Sequence, residues 1–178
     1  MSTLERPAWH LPPRIVVLVA VLLLACAEVG GASMARFKVD LGRWARGVML
    51  ARTEVHGLTG VRDVDEPLLD EALVKFDAGL RLFHLHAEGM GLVILAVASV
   101  IATYVRSRAA RGALLGLLTA GGAGYPLGYL VWSACIPFQG VEASKRVVEW
   151  GVWMPFGGAV IVAMWWLTSV LALRLVRR

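Results

Sequence analysis

The sequence is poor in charge, and it lacks the short motifs that mark the common soluble enzymes. Charged residues make up 17% of its 178 residues and hydrophobic residues make up 58%, whereas a soluble domain carries roughly a quarter charged residues. No nucleophile elbow, phosphate-binding loop, dinucleotide fingerprint or CxxC pair is present. The deficit of charge excludes a soluble globular domain and predicts an integral membrane protein.

Cysteine is also scarce, and no internal repeat is visible. The two cysteines, Cys26 and Cys135, both lie in apolar surroundings. We expect them to act as small apolar residues in helices rather than to form a disulfide. Because the spans are few and no inverted repeat is present, transport by this chain alone is not expected.

Four apolar stretches reach the length of about 20 residues that a helix needs to cross a bilayer. We expect spans at residues 15–34, 84–104, 113–134 and 152–173. The segments around them are a tail at 1–14, a long outer segment at 35–83, a link at 105–112, an outer loop at 135–151 and a tail at 174–178. The lipid bilayer is therefore the first predicted partner.

The distribution of basic residues predicts how these spans are oriented. The link at 105–112 carries three arginines and no acid, and arginines also lie in both tails. The positive-inside rule places all three segments in the cytoplasm of a bacterial-type inner (plasma) membrane. The segment at 35–83 instead balances eight basic residues with eight acidic ones. The net charge of +5 reflects this topology, so no nucleic-acid partner is predicted.

The first span has features of a cleavable signal peptide. It has a basic start, an apolar core and small residues at Ser33 and Ala35, and the residues before Cys26 resemble a lipoprotein cleavage site. Its apolar run of about 20 residues is longer than the usual ~7–15 of a signal core. We therefore expect the span to be retained.

The long outer segment reads as two helices. A helical pattern continues to Val55, glycines at Gly57 and Gly60 interrupt it, and a second helix is expected to begin near Glu66 with Asp65 or Glu66 as its cap. Nothing clearly stops that helix before the second span ends. The predicted fold class is all-α: an integral membrane four-helix bundle with the first two helices extended outside the membrane as an antiparallel hairpin of about 25 Å.

Candidate site residues concentrate where the outer segment enters the second span. Asp77, Arg81, His84 and Glu88 follow one another at spacings of four, three and four, which places them on one stripe of a helix. His86 lies about 200° from His84 around the same helix. In an intact helix the two histidines therefore do not readily share one metal ion, and we expect the stripe to be the working face.

The first span supplies a second carboxylate at a similar depth. Glu28 and Glu88 both lie roughly 6–10 Å below the outer surface. A carboxylate in hydrocarbon is costly unless it faces the bundle and finds a partner, so both are functional candidates. In the third span, the tyrosines Tyr125 and Tyr129 follow a glycine-rich run, and they join Asp77 and Arg81 as candidates for a polar or proton network.

Three kinds of chemistry fit these residues. Haem b needs two axial ligands, so His84 would pair with Met34 or with a residue of a partner chain. A copper site would draw on His84 and His86 together with methionine or cysteine side chains near the outer interface, whereas a zinc or di-metal site would use His84, Glu88 and Glu28. A proton or quinone site would use His84, Glu88 and Glu28 with the two tyrosines. The sequence leaves the cofactor open.

Two classes of function follow. The first is a redox-associated membrane subunit or accessory protein with a His/Glu site at the outer leaflet. The alternative is a non-catalytic interaction or assembly protein whose outer hairpin docks a partner and whose glycine-rich third span packs against another protomer. The partner would be another membrane protein or a second copy of the chain.

Trp132, Trp150 and Trp153 are predicted to lie at the membrane interface.

Overall fold

The computed structural model describes residues 9–176, and within them every regular element is helical. Seven elements follow one another along the chain. They are α1 (Arg14–Leu50), α2 (Thr53–His56), α3 (Arg62–Tyr104), α4 (Arg108–Gln139), α5 (Val141–Val148), a π-helix (Glu149–Gly157) and α6 (Gly158–Val176). The predicted all-α class is confirmed.

Four helical stretches are long and apolar enough to cross a membrane. They are α1, α3, α4 and the continuous run Val141–Val176, which joins α5, the π-helix and α6. Their number matches the four predicted spans, and by length and composition they suggest a multi-pass membrane protein. Residues 135–151, expected as a loop, are helical except at Gly140, where a positive φ of 77° separates α4 from α5.

The turn between α1 and α3 differs in detail from the sequence expectation. The helix α1 ends at Leu50 rather than near Val55, and α3 begins at Arg62 rather than near Glu66. The prediction that Asp65 or Glu66 caps α3 is wrong, because Val61 occupies the cap position and no side chain caps that end. Single-sequence patterns place such ends only to within a few residues.

Asp65 instead stabilises the turn at residues 59–60 that precedes α3. Its carboxylate accepts hydrogen bonds from the backbone N–H of Thr59 at 2.7 Å and from that of Gly60 at 2.8 Å. The bond from Thr59 is the main cause that lowers the pKa of the Asp65 carboxyl below its usual value of 3.8. Because Gly60 has a φ of 84°, the turn needs glycine there as well as the carboxylate.

The consecutive long helices pack side by side in opposite directions. Glycines at the contacts let the backbones approach: a Cβ on Gly91 of α3 would lie 2.7 Å from Leu24 Cγ of α1. A Cβ on Gly79 of α3 would lie 2.8 Å from Ser133 Cβ of α4. Small residues at such contacts are typical of helices that associate in lipid. The helix α3 is therefore held closely on both sides.

The buried side chains form two cores along the length of the molecule. The first core lies between the apolar halves of α1, α3, α4 and α6 and includes Ile94, Ile101 and Leu118. The second lies near the turn between α1 and α3 and includes Met49 and Phe76. The end of α4 and the helix α5 contribute to this second core, so the α1–α3 pair is covered there by later parts of the chain.

The role of Asp65 gives a pH prediction for the turn. Since the folded-state pKa is lowered, the stabilisation is fully present above pH 3.8 and is lost as the pH falls through the lowered pKa. We expect Asp65→Asn to increase hydrogen exchange at the Thr59 and Gly60 amides at neutral pH. Exposed Asp63 makes no side-chain hydrogen bond within residues 9–176, so Asp63→Asn is the matched control. Equal exchange in both variants would contradict the assignment.

Candidate functional site

His84 of α3 forms a hydrogen bond to the backbone of α1. Its Nδ1 lies 2.8 Å from the backbone carbonyl oxygen of Ala27, and because a carbonyl only accepts, the imidazole donates from Nδ1. The ring fits because residue 31 is glycine: a Cβ there would lie 2.8 Å from His84 Cε1. A hydrogen bond between helices in this half-buried position accounts for His84 by packing alone.

His86 points to the other neighbour of α3. Its Nδ1 lies 2.8 Å from the carbonyl oxygen of Leu82, one turn earlier in the same helix. The imidazole stacks on Tyr129 of α4, with ring centroids 4.5 Å apart and an interplanar angle of 27°. It meets Tyr125 edge to face at 5.6 Å. Because Nδ1 donates to a carbonyl, the neutral ring keeps an acceptor lone pair on Nε2.

The two tyrosines are joined to each other by their hydroxyl groups. The oxygen atoms of Tyr125 and Tyr129 lie 3.0 Å apart, so one hydroxyl donates to the other. Tyr129 also packs on Trp153 of the π-helix at 4.8 Å between centroids. We call His86, Tyr125, Tyr129 and Trp153 the aromatic cluster.

The glycine-rich run of α4 makes room for this cluster. A Cβ on Gly128 would lie 2.4 Å from Trp153 Nε1, and one on Gly124 would lie 2.4 Å from Phe156 Cδ1. The aromatic side chains of the π-helix therefore lie directly on the α4 backbone. The π-helix is a rare conformation, and it occurs often at functional sites.

An open cleft of about 510 Å³ lies beside the cluster. Tyr125, Tyr129 and Trp153 form part of its wall, and Lys145 and Glu149 lie at its charged side. Apolar residues that begin α6 complete the lining. A volume in this range is typical of small-molecule sites, and a few polar groups in an apolar wall can orient a ligand.

The stripe predicted from the sequence does not form one connected network. Asp77 forms ion pairs with Arg81 and, at 3.7 Å, with Lys38 of α1. Glu88 is half-buried and Glu28 is exposed, and among residues 9–176 neither makes a hydrogen bond or an ion pair. Asp77 and Arg81 thus belong to an ion-pair cluster with Lys38. His84 instead bonds to α1, and within the described residues Glu88 is not linked to either group.

The candidate metal ligands are distributed over different faces of α3. His84 contacts α1 and His86 contacts α4. In the part of the chain that the structure describes, no group of three or more His, Cys, Asp or Glu side chains is placed to hold a metal ion. Met34, the candidate haem ligand, lines a groove between α1 and α3 with Lys38 and Asp77.

Sequence reasoning missed how the tryptophans are used. Trp132 was expected at the membrane interface, but it is 8% exposed and packs on Trp153 at 5.9 Å. Trp150 is 69% exposed, as an interfacial residue would be. The available signal was the spacing of Gly121, Gly124 and Gly128, which marks a face of α4 that large side chains can approach.

No protein-family model, curated protein or solved structure matches this chain. The functional argument therefore depends on the geometry of the site itself.

The contact of Trp153 with α4 can be tested by filling the space at Gly128. We expect Gly128→Ala to destabilise the protein by about 1–3 kcal/mol, because the indole must move. Gly116→Ala is the matched control on the same helix, since no atom lies within 4 Å of a Cβ there. Unfolding in detergent, followed by circular dichroism, measures both. Adding Trp153→Phe should restore part of the loss, and equal stability of the two alanine variants would contradict this packing.

Proposed function

We propose that this chain is a redox-associated membrane subunit that binds a quinone-class ring in the cleft and handles protons there through the aromatic cluster. The observation that carries the proposal is the hydrogen-bonded pair of Tyr125 and Tyr129, whose hydroxyl oxygens lie 3.0 Å apart. Both tyrosines line the cleft. His86 stacks on Tyr129, with ring centroids 4.5 Å apart. Tyrosine hydroxyls and imidazole both donate and accept protons, and they can do so in a low-dielectric site.

The lining of the cleft favours this class of ligand. Most of the lining is apolar or aromatic and comes from the π-helix, α4 and α6, and two charged side chains, Lys145 and Glu149, join it. An amphipathic molecule that partitions into lipid matches such a wall. Aromatic side chains offer faces on which a flat ring stacks, and a tyrosine hydroxyl can donate to a ring carbonyl oxygen.

The proposed roles of the residues follow from their contacts. Tyr125 and Tyr129 bind the ring oxygen and hold a proton beside it. His86 stacks on Tyr129 and makes no direct hydrogen bond to either hydroxyl in residues 9–176, so in this proposal its Nε2 exchanges protons with the pair through water. Reduction of a quinone to a quinol takes two electrons and two protons: one proton comes from the tyrosine hydroxyl pair, the second comes from water that enters the open cleft, and His86 restores the proton of the pair. The electrons come from a redox-active partner protein, so the chain acts as a subunit or accessory protein.

The haem and metal versions of the site have less support. The structure separates His84 from His86, and within residues 9–176 no cluster of three ligating side chains is assembled. His84 is accounted for by its bond to Ala27. A Soret band in the absorbance spectrum of the purified protein would favour the haem version.

Quinone binding can be measured with the protein in lipid nanodiscs. A short-chain benzoquinone is titrated and tryptophan fluorescence is followed, because Trp153 lines the cleft. We expect saturable quenching, and Tyr125→Phe should weaken binding about fivefold to tenfold through the loss of one hydrogen bond. Tyr104→Phe is the matched control, since Tyr104 lies at the far end of α3. Absence of saturation, or equal affinity in both variants, would contradict the proposal.

The proposal includes a topology. We place both termini and the arginine-rich link between α3 and α4 in the cytoplasm of a bacterial inner membrane, and the turn between α1 and α3 outside it, with the helices extended as a hairpin. The separate core at Met49 and Phe76 supports a folded region beyond the lipid.

Retention of the first span is supported by the contacts of Ala27 and Leu24 with α3, and mass spectrometry of the mature N-terminus tests it.

Cysteine labelling tests the orientation. In a variant that lacks Cys26 and Cys135, a membrane-impermeant maleimide applied to intact spheroplasts should label Val61→Cys, because Val61 is exposed in the outer turn. Ser107→Cys, in the arginine-rich link, should be labelled only after lysis. The reverse pattern would overturn the orientation.

A further inference from the structure

The outer halves of α1 and α3 carry opposite charge. Residues 35–52 contain five basic side chains and one acidic side chain, whereas residues 62–81 contain three basic and six acidic side chains. Two ion pairs join the halves: Lys38 to Asp77 at 3.7 Å, and Arg46 to Glu66 through both carboxylate oxygens at 2.8 and 2.7 Å. These pairs use two of the five basic residues, so the end of α1 and the turn that follows it keep a positive surface.

Part of this positive surface borders a shallow groove of about 760 Å³ between the ends of α1 and α4. Trp44 and Phe138 form its aromatic floor, with ring centroids 6.0 Å apart. Both remain accessible, at 48% and 39% exposed. Arg43 and Arg52 also line the groove. We call these four residues and the groove they line the basic–aromatic groove.

The two arginines are available to a partner. The Arg52 guanidinium lies 5.4 Å from the centre of the Phe138 ring, and within residues 9–176 no carboxylate lies within ion-pair distance of it. Arg43 pairs at 3.1 Å with Asp40, and both side chains are largely exposed. A surface pair of this kind contributes little stability, so an incoming carboxylate can replace Asp40 at small cost.

We propose that the basic–aromatic groove docks an acidic segment of a partner protein, in which two carboxylates flank a large apolar side chain. Arginine pairs with carboxylates through two parallel hydrogen bonds, and Trp and Arg are the residues most enriched in interface hot spots. The apolar side chain packs on Trp44 and Phe138 while the carboxylates meet Arg43 and Arg52.

The height of the groove argues against a lipid headgroup as the occupant. In the proposed topology α1 leaves the membrane near Met34, so Arg43, the groove residue nearest the membrane on α1, lies about 14 Å beyond that point at 1.5 Å per residue, whereas the headgroup layer is about 5–8 Å thick on each side. Headgroups of the same bilayer do not reach that level. This docking proposal uses the topology but does not depend on the quinone cleft.

A model peptide tests the groove directly. The full chain is held in phosphatidylcholine nanodiscs, and a short fluorescein-labelled peptide that alternates glutamate and leucine is titrated by fluorescence anisotropy. We expect saturable binding that weakens as salt rises, and no binding of the corresponding lysine and leucine peptide. Absence of saturable binding of the acidic peptide, or equal binding of the basic one, would overturn the proposal.

Two arginines in similar settings provide a matched comparison. Arg52→Glu should weaken binding about tenfold or more, because it places like charge at the groove. Arg36 is also exposed and lies over a ring, that of Phe37 at 5.5 Å, but outside the groove; Arg36→Glu should change affinity by less than about twofold. Equal losses of peptide affinity in the two variants would show a general electrostatic attraction of the peptide to the positive surface and would contradict binding in the groove.

Two further experiments test the role of the aromatic side chains and the possibility that a lipid headgroup occupies the groove. Trp44→Ser leaves the charge unchanged and should also weaken peptide binding several-fold. Unchanged binding in that variant would contradict the role of the floor. If Arg52→Glu abolished retention on phosphatidylserine vesicles while peptide binding stayed intact, a lipid headgroup would be the occupant and the proposal would fail.

Discussion

The close packing of α3 against both α1 and α4 is the constraint on which the rest of the structure depends. Helices in lipid gain little from the hydrophobic effect, so close backbone contact and hydrogen bonds between helices must hold them together. Glycines supply that closeness on both sides, at Gly91 towards α1 and at Gly79 towards α4. Once α3 is fixed in this way, His84 must face α1 and His86 must face α4, because they lie about 200° apart around the helix.

This separation gives the two histidines different surroundings. His84 has its ring enclosed by Gly31 and its Nδ1 satisfied by a carbonyl of α1. His86 reaches a chain of side chains that ends at the cleft, since Tyr129 and Tyr125 are hydrogen-bonded and both line it. Both histidines use Nδ1 to donate to a backbone carbonyl, so what distinguishes His86 is its contact with the two tyrosines that line the cleft.

Much of the fold could be predicted from the sequence. The length of the apolar stretches is sufficient to give four helices, and helical spacing correctly assigned His84 and His86 to different faces. The sequence could not show which face leads to a cavity, because that depends on what the neighbouring helices present: glycine at residue 31 and tyrosine at residue 129. Helical spacing predicts the stripe with His84 and Glu88 as the working face, whereas the proposed function rests on His86.

Other details lay beyond the sequence for equally physical reasons. A π-helix differs from an α-helix in which backbone groups pair, so the composition of Glu149–Gly157 does not reveal it. Trp132 and Trp153 were assigned to the interface by residue type, but Gly128 leaves space in which an indole packs against α4. Asp65 has the composition of a helix cap and instead holds the turn before the helix.

The central claim is that α3 carries one packing histidine and one proton-handling histidine. Nitrogen-15 NMR of histidine-labelled protein in nanodiscs tests it most directly, with resonances assigned by His84→Asn and His86→Asn. On saturation with a short-chain quinol, we expect the Nε2 resonance of His86 to shift while both His84 nitrogens stay unchanged. A shift at His84 with His86 silent would contradict the account.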